Sequence, residues 1–391
     1  MMKMVVRKKD LYKILYYILW VIFNVAFFFL KQTELQYMTN TSNLYQDISL
    51  LVGISLIFLF LLTRTFTVKE LVVYGCVVIF IGASLLTLHD KYLVVALGFI
   101  LLGRMIDAEE LVRVDFAVKI FVLVTVLSLC FLGYLPNFTK LINGAYKQGL
   151  GFSHPNGLAC IVFVILLEWM YIRYNKLKIL DYVFIITIVS LVWHVAASRT
   201  NAYTFFLIFV CIILSKIFPS IFKNRLVVNI LAILPSIIAV LSFELIHLYE
   251  KGNTIVLVLN EILTRRITQA SLLLNRYGIS LFGQFVNIRG TRSVDYSSDA
   301  LFSVDMTYIT VPIRYGIVIL ALLLIGYYFF IKKSAENGNY KLVLAAMYFV
   351  ILGFAETYLY RLQYNFTLVL LLMYINNKNN LKGETFSEGS K

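Results

Sequence analysis

The chain has 391 residues, of which 60% are hydrophobic and 14% are charged, and its mean hydropathy is +0.84. An ordinary soluble domain has roughly half apolar and a quarter charged residues, so this composition excludes one and indicates a polytopic membrane protein. The net charge of +14 does not indicate a nucleic-acid partner, because most lysines and arginines lie in short segments between apolar runs.

Apolar runs recur along the whole chain. A helix that crosses a bilayer needs about 20 apolar residues. Runs of this length predict an all-α integral membrane protein with about twelve transmembrane helices. They lie near residues 12–30, 48–63, 70–87, 92–106, 115–135, 155–173, 179–197, 200–217, 226–246, 307–331, 342–356 and 359–375.

Basic residues are distributed unevenly between these runs. An even number of spans places both termini on one side of the membrane, and alternate connections on that side carry the basic clusters. Because cytoplasmic loops are enriched in lysine and arginine, we predict that both termini are cytoplasmic. The clusters are Lys3, Arg7, Lys8, Lys9 and Lys13; Arg64 and Lys69; Arg173, Lys176 and Lys178; Lys216, Lys223 and Arg225; Lys332 and Lys333; and Lys378, Lys382 and Lys391.

One long polar interval, from Lys251 to Asp305, interrupts the hydrophobic pattern. It divides the chain into predicted helices 1–9 over residues 1–246, an extracytoplasmic loop over 247–306, and helices 10–12 with a cytoplasmic tail over 307–391. Positive residues are normally scarce in short loops on the outer side. The excess of cations in this interval therefore indicates an anionic ligand, and its arginines are Arg265, Arg266, Arg276, Arg289 and Arg292.

Apolar residues within 258–276 recur at the spacing of one helix face, which predicts a helix on the membrane surface. Arg265 and Arg266 lie about 100° apart around such a helix, so only one of them is expected to point into a site. A lipid-surface anchor with snorkelling arginines is the alternative interpretation. Beyond Gly278, glycines and serines predict an irregular, mobile lid.

Polar residues also stand at other predicted outer ends of helices. His154 and Asn156 flank a proline, and this pattern is typical of a helix start, although an imidazole at this point could also bind a phosphate oxygen or a sugar hydroxyl. Arg199 lies in a tight turn between two apolar runs. It either snorkels to the head groups or faces a cavity, and the second is favoured because charges at membrane depth usually have a partner.

Asp305 opens the next predicted helix, beside Tyr308 and before Arg314. Helix capping is one role for such an aspartate. A carboxylate, a phenol and a guanidinium at one helix mouth also predict a reaction centre, which we favour. Glu356 is expected to form a structural ion pair with Arg314 or Arg361.

Several short motifs follow one another in a recognisable order. They are Gly-Phe-Ser-His-Pro-Asn at 151–156, Ser-Arg-Thr at 198–200, Asn260 and Leu263 before Arg266 and Ile267, Leu-Phe-Gly at 281–283, Asp-Met-Thr-Tyr at 305–308 before Tyr315 and Gly316, and Glu356 before Asn365. From Gly151 onward this order resembles the oligosaccharide repeat-unit polymerases of Wzy type, within the group that includes the O-antigen ligases. Asp305 stands where the ligases usually have histidine, which favours a polymerase, whereas Met306 departs from the asparagine common in the polymerases.

The resemblance implies a GT-C-like glycosyltransferase architecture in the bacterial cytoplasmic membrane. The implied activity is the polymerisation of undecaprenyl-pyrophosphate-linked repeat units into capsular, O-antigen or exopolysaccharide chains, without a metal or another cofactor. Membrane lipid surrounds such an enzyme, and a flippase and a chain-length regulator are possible partner proteins.

On this basis we assign Asp305 to the acceptor hydroxyl, and Arg266 and Arg199 to the two pyrophosphates. Asp305 and Arg266 are the predicted catalytic residues, and Glu356 is predicted to support the site. The predicted substrate-binding residues are His154, Asn156, Arg199, Arg289, Arg292, Tyr308 and Arg314.

Two other functions stay open from the sequence. A ligase would pass the glycan to a different acceptor, and a flippase would move lipid-linked oligosaccharide across the membrane with a similar number of helices. Flippases typically spread polar residues along central helices, whereas this chain concentrates them at one predicted face. No internal repeat is evident in the sequence, which also disfavours a transporter.

Overall fold

The fold is a bundle of α-helices. The computed structural model describes residues 8–39, 41–63, 75, 82, 91–142, 145–289, 301–302 and 304–374. In chain order its helices are α1 (Lys8–Lys31), α2 (Leu35–Thr39), α3 (Ser42–Leu62), α4 (Tyr92–Gly103), α5 (Ala108–Phe131), α6 (Pro155–Ile172), α7 (Ile179–Ala196), α8 (Arg199–Ile217), α9 (Arg225–Glu250), α10 (Thr254–Ile262), α11 (Arg266–Tyr277), α12 (Thr307–Arg314), α13 (Ile317–Glu336), α14 (Tyr340–Leu352) and α15 (Phe366–Val369).

Within the described part of the chain, eight helices are long and apolar enough to cross a membrane: α1, α3, α5, α6, α7, α8, α9 and α13. Helices α4 and α14 are apolar but shorter. Strand β1 (Thr139–Ile142) pairs antiparallel with β2 (Ala145–Gln148), and β3 (Ile288–Arg289) pairs in parallel with β4 (Leu301–Phe302). The structure is therefore that of an all-α, multi-pass membrane protein with small strand pairs in its loops.

Side chains at helix starts explain where two of the long helices begin. Asp107 caps α5, because its Oδ1 accepts the backbone N–H groups of Glu109 at 2.9 Å and Glu110 at 3.0 Å. The two glutamates also lie at the positive end of the helix dipole. Asn224 caps α9 in the same way through the N–H of Leu226, at 2.9 Å.

The predicted spans from 12–30 to 226–246 coincide with apolar helices wherever the structure describes them, and the span near 70–87 lies outside the described residues except for the helical Gly75 and Gly82. The prediction of one span over 307–331 is wrong, since the chain breaks between α12 and α13. Gly316 lies at the break with φ +99°, and a Cβ there would lie 2.5 Å from the carbonyl oxygen of Leu281. Only glycine fits this backbone and this contact.

The prediction of a continuous span over 359–375 is also wrong. The segment forms a 3₁₀ turn (Tyr358–Tyr360) and the single-turn helix α15. Asn365 holds the irregular backbone, because its Nδ2 donates to the carbonyl of Leu359 at 2.7 Å and its Oδ1 accepts the N–H of Thr367 at 3.1 Å. Non-helical backbone at membrane depth is tolerated where protein surrounds it, and residues 362–371 are all buried.

The two ends of the bundle differ in their connections. At the basic end, where α1, α5, α7, α9 and α14 start, Arg173 pairs with Asp181 at 2.9 Å and Lys13 with Glu110 at 3.5 Å. At the opposite end, here called the loop end, residues 32–34, 151–153 and 353–365 meet. The N–H of Glu34 donates to the carbonyl of Gly151 at 3.0 Å. Segments that are far apart in sequence thus form one surface at the loop end.

Candidate functional site

The helix predicted over 258–276 is two helices, α10 and α11, because the chain turns sharply between them. Thr264 and Arg265 adopt left-handed backbone conformations, with φ 55° and 63°. Asn260 bridges the turn: its Nδ2 donates to Thr268 Oγ1 at 2.8 Å, and its Oδ1 accepts the N–H of Thr268 at 3.1 Å. The asparagine side chain therefore sets the direction in which α11 leaves the turn.

This turn sends two neighbouring arginines in opposite directions. The Arg265 side chain is 72% exposed and pairs with Glu261 on α10, at 3.2 Å. Arg266 is buried, with 6% of its surface exposed. Only one of the two enters the protein, as predicted, but the turn at Thr264 and Arg265 is the reason rather than the phase of one continuous helix.

Arg266 forms a buried ion pair with Glu356, which lies in the turn after α14. Its Nη2 donates to Glu356 Oε1 at 2.7 Å. This contact replaces the predicted ion pair of Glu356 with Arg314 or Arg361. The second terminal nitrogen of Arg266, Nη1, is buried without a hydrogen-bond partner among the described residues. A buried guanidinium with an unused donor is costly, so a ligand oxygen would complete its coordination.

Asp305 and Arg361 complete the charged cluster around this pair. Asp305 is half-buried and interacts electrostatically with Arg266, Glu356 and Arg361. The chain next to Asp305 is fixed by Thr307, whose N–H donates to the carbonyl of Gly353 at 2.9 Å and whose hydroxyl donates to that of Glu356 at 2.7 Å. The start of α12 and the Glu356 turn are therefore held together as one unit.

Burial raises the pKa of Glu356 to about 7, because the desolvation outweighs the nearby Arg266 charge and the Asp305 charge adds to it. Between pH 4.5 and about 7 the folded protein keeps a proton on Glu356 that the unfolded chain has released. The free energy of unfolding is therefore expected to fall as the pH rises through this window.

Glu356→Gln should remove this part of the pH dependence, because an amide has no proton to release. Thermal unfolding in detergent at several pH values measures the effect. The exposed Glu261→Gln serves as the control and should keep the wild-type profile. Identical profiles for wild type and Glu356→Gln would contradict the prediction.

A cavity of about 200 Å³ opens next to this cluster, and four half-buried cations line it: Lys31, Lys91, Arg314 and Arg361. No carboxylate is among its lining residues, all of which lie in the described part of the chain. Lys91 is paired with the exposed Asp47 outside the lining, at 2.9 Å. Of the predicted site residues, the structure thus places Arg314 in a positively charged cavity rather than in the Arg266–Glu356 pair.

His154 and Asn156 start α6 at the loop end. His154 caps the helix, because its Nδ1 accepts the N–H of Asn156 at 3.1 Å, and Pro155 takes the first helical position. The helix-start interpretation thus explains the hydrogen bond that His154 accepts at Nδ1. Further along α6, the buried Cys160 interacts electrostatically with Tyr358, which brings this helix close to the Glu356 turn.

Arg199 is exposed at the start of α8. Burial and then the nearby Arg199 charge lower the pKa of Lys147, whose Nζ donates to the carbonyl of Ala197 at 2.9 Å. The contacts described for Arg199 do not join it to Arg266 or Asp305. The structure therefore places Arg199 in a separate basic patch with Lys147.

The other predicted site residues lie apart from the cluster or outside the description. Tyr308 is fully buried, and its hydroxyl donates a hydrogen bond to the carbonyl of Val350 at 2.9 Å. This bond joins α12 to α14, so Tyr308 has a structural role in the packed core. The first residues of the predicted lid are held in place, because the carbonyl of Ser280 accepts a hydrogen bond from the N–H of Ile317 at 2.9 Å. Arg292 and the side chain of Arg289 lie outside the described residues.

The sequence analysis missed a second charged cluster, deep in the bundle. Lys119 on α5 pairs with Asp115, one turn earlier, and with Glu168 on α6 at 2.7 Å. All three side chains are fully buried, and Trp20 Nε1 donates to Asp115 Oδ1 at 3.2 Å. The sequence did carry a signal for this cluster. Asp115 and Lys119 have opposite charges at the i, i+4 spacing inside an apolar run, and charges at membrane depth need partners.

The Arg266 cluster combines a cation that can bind a phosphate oxygen with a carboxylate that can accept a proton. Arginine matches phosphate through two parallel N–H groups. No family model matches the chain, and no curated protein or solved structure is detectably similar to it. The function proposed below is therefore based on this geometry and on the order of the sequence motifs.

Proposed function

We propose that the protein is a membrane glycosyltransferase that polymerises undecaprenyl-pyrophosphate-linked repeat units into a polysaccharide. The observation that carries this proposal is the environment of the Arg266 side chain. It is buried, it pairs with Glu356 and it interacts electrostatically with Asp305. Its Nη1 has no hydrogen-bond partner among the described residues. In this proposal the loop end faces the outside of the bacterial cytoplasmic membrane and both termini are cytoplasmic. The proposed architecture is GT-C-like with about twelve membrane crossings, of which the last, over 359–375, is the irregular buried chain rather than a helix.

The proposed reaction joins two lipid-linked glycans. An acceptor hydroxyl attacks the anomeric carbon of the donor glycan, and the bond from this carbon to the pyrophosphate oxygen breaks. Asp305 takes the proton of the hydroxyl, and Arg266 stabilises the negative charge that gathers on the leaving pyrophosphate. The products are a chain longer by one repeat unit and a free lipid pyrophosphate, so no nucleotide sugar is consumed.

Glu356 orients Arg266 in this scheme. Because Arg266 Nη2 donates to the Glu356 carboxylate, the guanidinium is held in one orientation and its remaining N–H donors point in a fixed direction. Arg199 is proposed to hold the second pyrophosphate from its patch with Lys147. His154, Asn156, Arg289 and Arg292 remain proposed contacts to the sugars or phosphates.

The proposal is tested with purified protein in liposomes that contain lipid-linked repeat units. A ladder of products with increasing numbers of repeats supports the polymerase. Transfer of the unpolymerised lipid between leaflets indicates a flippase instead, and capture of the glycan by a different acceptor indicates a ligase. Either of these results without a ladder contradicts the proposal.

Asp305→Asn should reduce ladder formation by about 10² to 10⁴-fold, because the amide cannot accept the proton. The rate of ladder formation in liposomes, at matched protein amounts, measures the effect. Glu261→Gln is the control, since that carboxylate lies in the same loop but is exposed and paired with Arg265. A wild-type rate in Asp305→Asn would exclude the base assignment.

A further inference from the structure

An apolar groove of about 320 Å³ adjoins the cationic cavity. It runs along α4 and α13 and against the buried chain after α15, with Leu97, Ile100, Leu322, Gly326 and Leu371 in its walls. Along α4 its lining extends from Tyr92 to Ile100, which corresponds to about 12 Å of helix. The groove thus leads from the loop end toward the middle of the bundle.

Three tyrosines line both spaces and form the boundary between them: Tyr92, Tyr315 and Tyr360. Their rings are in mutual contact, with centroid distances of 6.3 Å, 6.2 Å and 5.6 Å. The Tyr92 hydroxyl donates to the carbonyl of Tyr360 and accepts the N–H of Leu362 at 2.9 Å. An aromatic ring with a polar edge suits a boundary between a charged and an apolar compartment.

We infer that the cavity and the groove together bind one amphiphile, a polyprenyl pyrophosphate, with its head group among the four cations and its isoprenoid chain in the groove. This inference rests on the proposed function for the identity of the lipid, and it locates that lipid at Arg314, a predicted substrate-binding residue, together with three further cations. Lys31, Lys91 and Arg361 are new in this role.

The cavity suits a head group with several charged and hydroxyl oxygens. Four cations in the lining, one of them paired with Asp47 outside it, place several N–H donors around a partly enclosed space, where their attraction for phosphate oxygens is stronger than in bulk water. Two buried polar atoms in the walls, Ser49 Oγ and Gln363 Oε1, have no hydrogen-bond partner among the described residues. The Nε2 of Gln363 donates to Tyr45 at 2.9 Å, which fixes this amide at the cavity wall.

The groove suits an apolar chain that enters from the bilayer. Leu322 lies in its wall and is 59% exposed on the outside of the bundle, so the groove opens toward lipid. Gly326 lets Leu371 pack close to α13 at the deep part of the groove, since a Cβ there would lie 3.2 Å from Leu371 Cδ1.

Arg361 connects this lipid site to the reaction centre. It lines the cavity and interacts electrostatically with both Asp305 and Glu356. A donor pyrophosphate held by Arg361 and Arg314 would present its sugar-linked phosphate to Arg266, so that the bond to be broken lies next to the Arg266 cluster. The cavity would hold the charge of the pyrophosphate before the glycosidic bond forms and after the donor bond breaks.

Binding of glycan-free undecaprenyl pyrophosphate to the full-length protein in detergent tests the inference. Arg361→Gln changes the head-group cavity, and Leu322→Trp fills the groove from its exposed side. Each is expected to weaken binding at least about tenfold, which corresponds to one lost contact of about 1.4 kcal/mol. Leu241→Trp, at a 51% exposed position on α9 outside the groove, is the matched control and should bind as the wild type does.

Inorganic pyrophosphate and phosphatidylglycerol are added as competitors. Competition by either at the same concentration as the polyprenyl lipid overturns the inference, because the first lacks the chain and the second has a different one. Wild-type binding by Leu322→Trp overturns it as well.

The lipid site and the polymerase can fail separately. Tight, variant-sensitive binding without a product ladder keeps the lipid site and removes the polymerase. A ladder combined with wild-type binding by both variants keeps the polymerase and removes the site.

Discussion

Arg266→Ala is expected to lower the rate of ladder formation by about 10² to 10³-fold, the loss typical of removing one well-placed donor to developing negative charge. Arg266 is a buried cation that pairs with Glu356 and interacts electrostatically with Asp305, and its unused Nη1 is the donor available to a leaving pyrophosphate. The measurement is the initial rate in liposomes with lipid-linked repeat units, at matched amounts of folded protein.

Arg265→Ala is the matched control for this prediction. The two arginines are adjacent in sequence and carry the same charge, but the Arg265 side chain is 72% exposed and paired with Glu261. If the loop only supplied positive charge to the membrane surface, both variants would lose activity to the same extent. Equal losses would therefore contradict a specific role for Arg266.

Arg266→Lys separates charge from geometry. Lysine keeps the positive charge near Glu356 but cannot bind that carboxylate and a phosphate oxygen through one planar group. We expect most of the activity to be lost while the protein stays folded. Wild-type activity in Arg266→Lys would show that charge alone is sufficient at this position.

The pKa of Glu356 makes the loss of activity in Arg266→Ala interpretable. Removing one partner of a buried ion pair usually destabilises a protein, because the other charge stays behind without compensation. The pKa of Glu356 is already raised to about 7, so this carboxyl can take up a proton instead. The fold is therefore expected to survive Arg266→Ala well enough for activity to be measured.

The sequence predicted much of the bundle because long apolar runs correspond directly to spanning helices. It failed where a local contact overrides that pattern. Gly316 breaks the run over 307–331, and Asn365 holds an irregular chain inside a run of apolar residues. Both residues were visible in the sequence, but the packing partners that make them decisive are distant in the chain.

The same distinction applies to the candidate site. The sequence predicted that only one of Arg265 and Arg266 points inward, but the left-handed turn at Thr264 and Arg265 separates them, not the phase of one continuous helix. The pairing of Arg266 with Glu356 joins residues 90 positions apart, and it depends on the turn at Asn260. Nothing in the sequence places Lys31 or Lys91 in one cavity with Arg361, because that arrangement requires the packed bundle.

The buried Asp115–Lys119–Glu168 cluster is expected to have the largest effect on stability. Lys119→Met should lower the free energy of unfolding by about 3–5 kcal/mol, the range for breaking a buried ion pair by removing one partner. Without Lys119, two carboxyl groups remain close together with no exposed surface. Unfolding of the purified protein by denaturing detergent measures the loss. Arg113→Met on the same helix is the control, because that side chain is 65% exposed and lies 3.9 Å from Glu109.

A triple variant, Asp115→Asn with Lys119→Met and Glu168→Gln, distinguishes charge from packing. Neutralising all three groups removes the uncompensated charges, and replacing a whole buried ionic cluster is often neutral or stabilising. We expect the triple variant to recover most of the stability that Lys119→Met loses. No recovery would show that the loss arises from the shape of the lysine side chain. Charged groups at membrane depth carry a cost in insertion and usually serve a function. A stable triple variant that forms no product ladder would therefore show that the cluster contributes to activity.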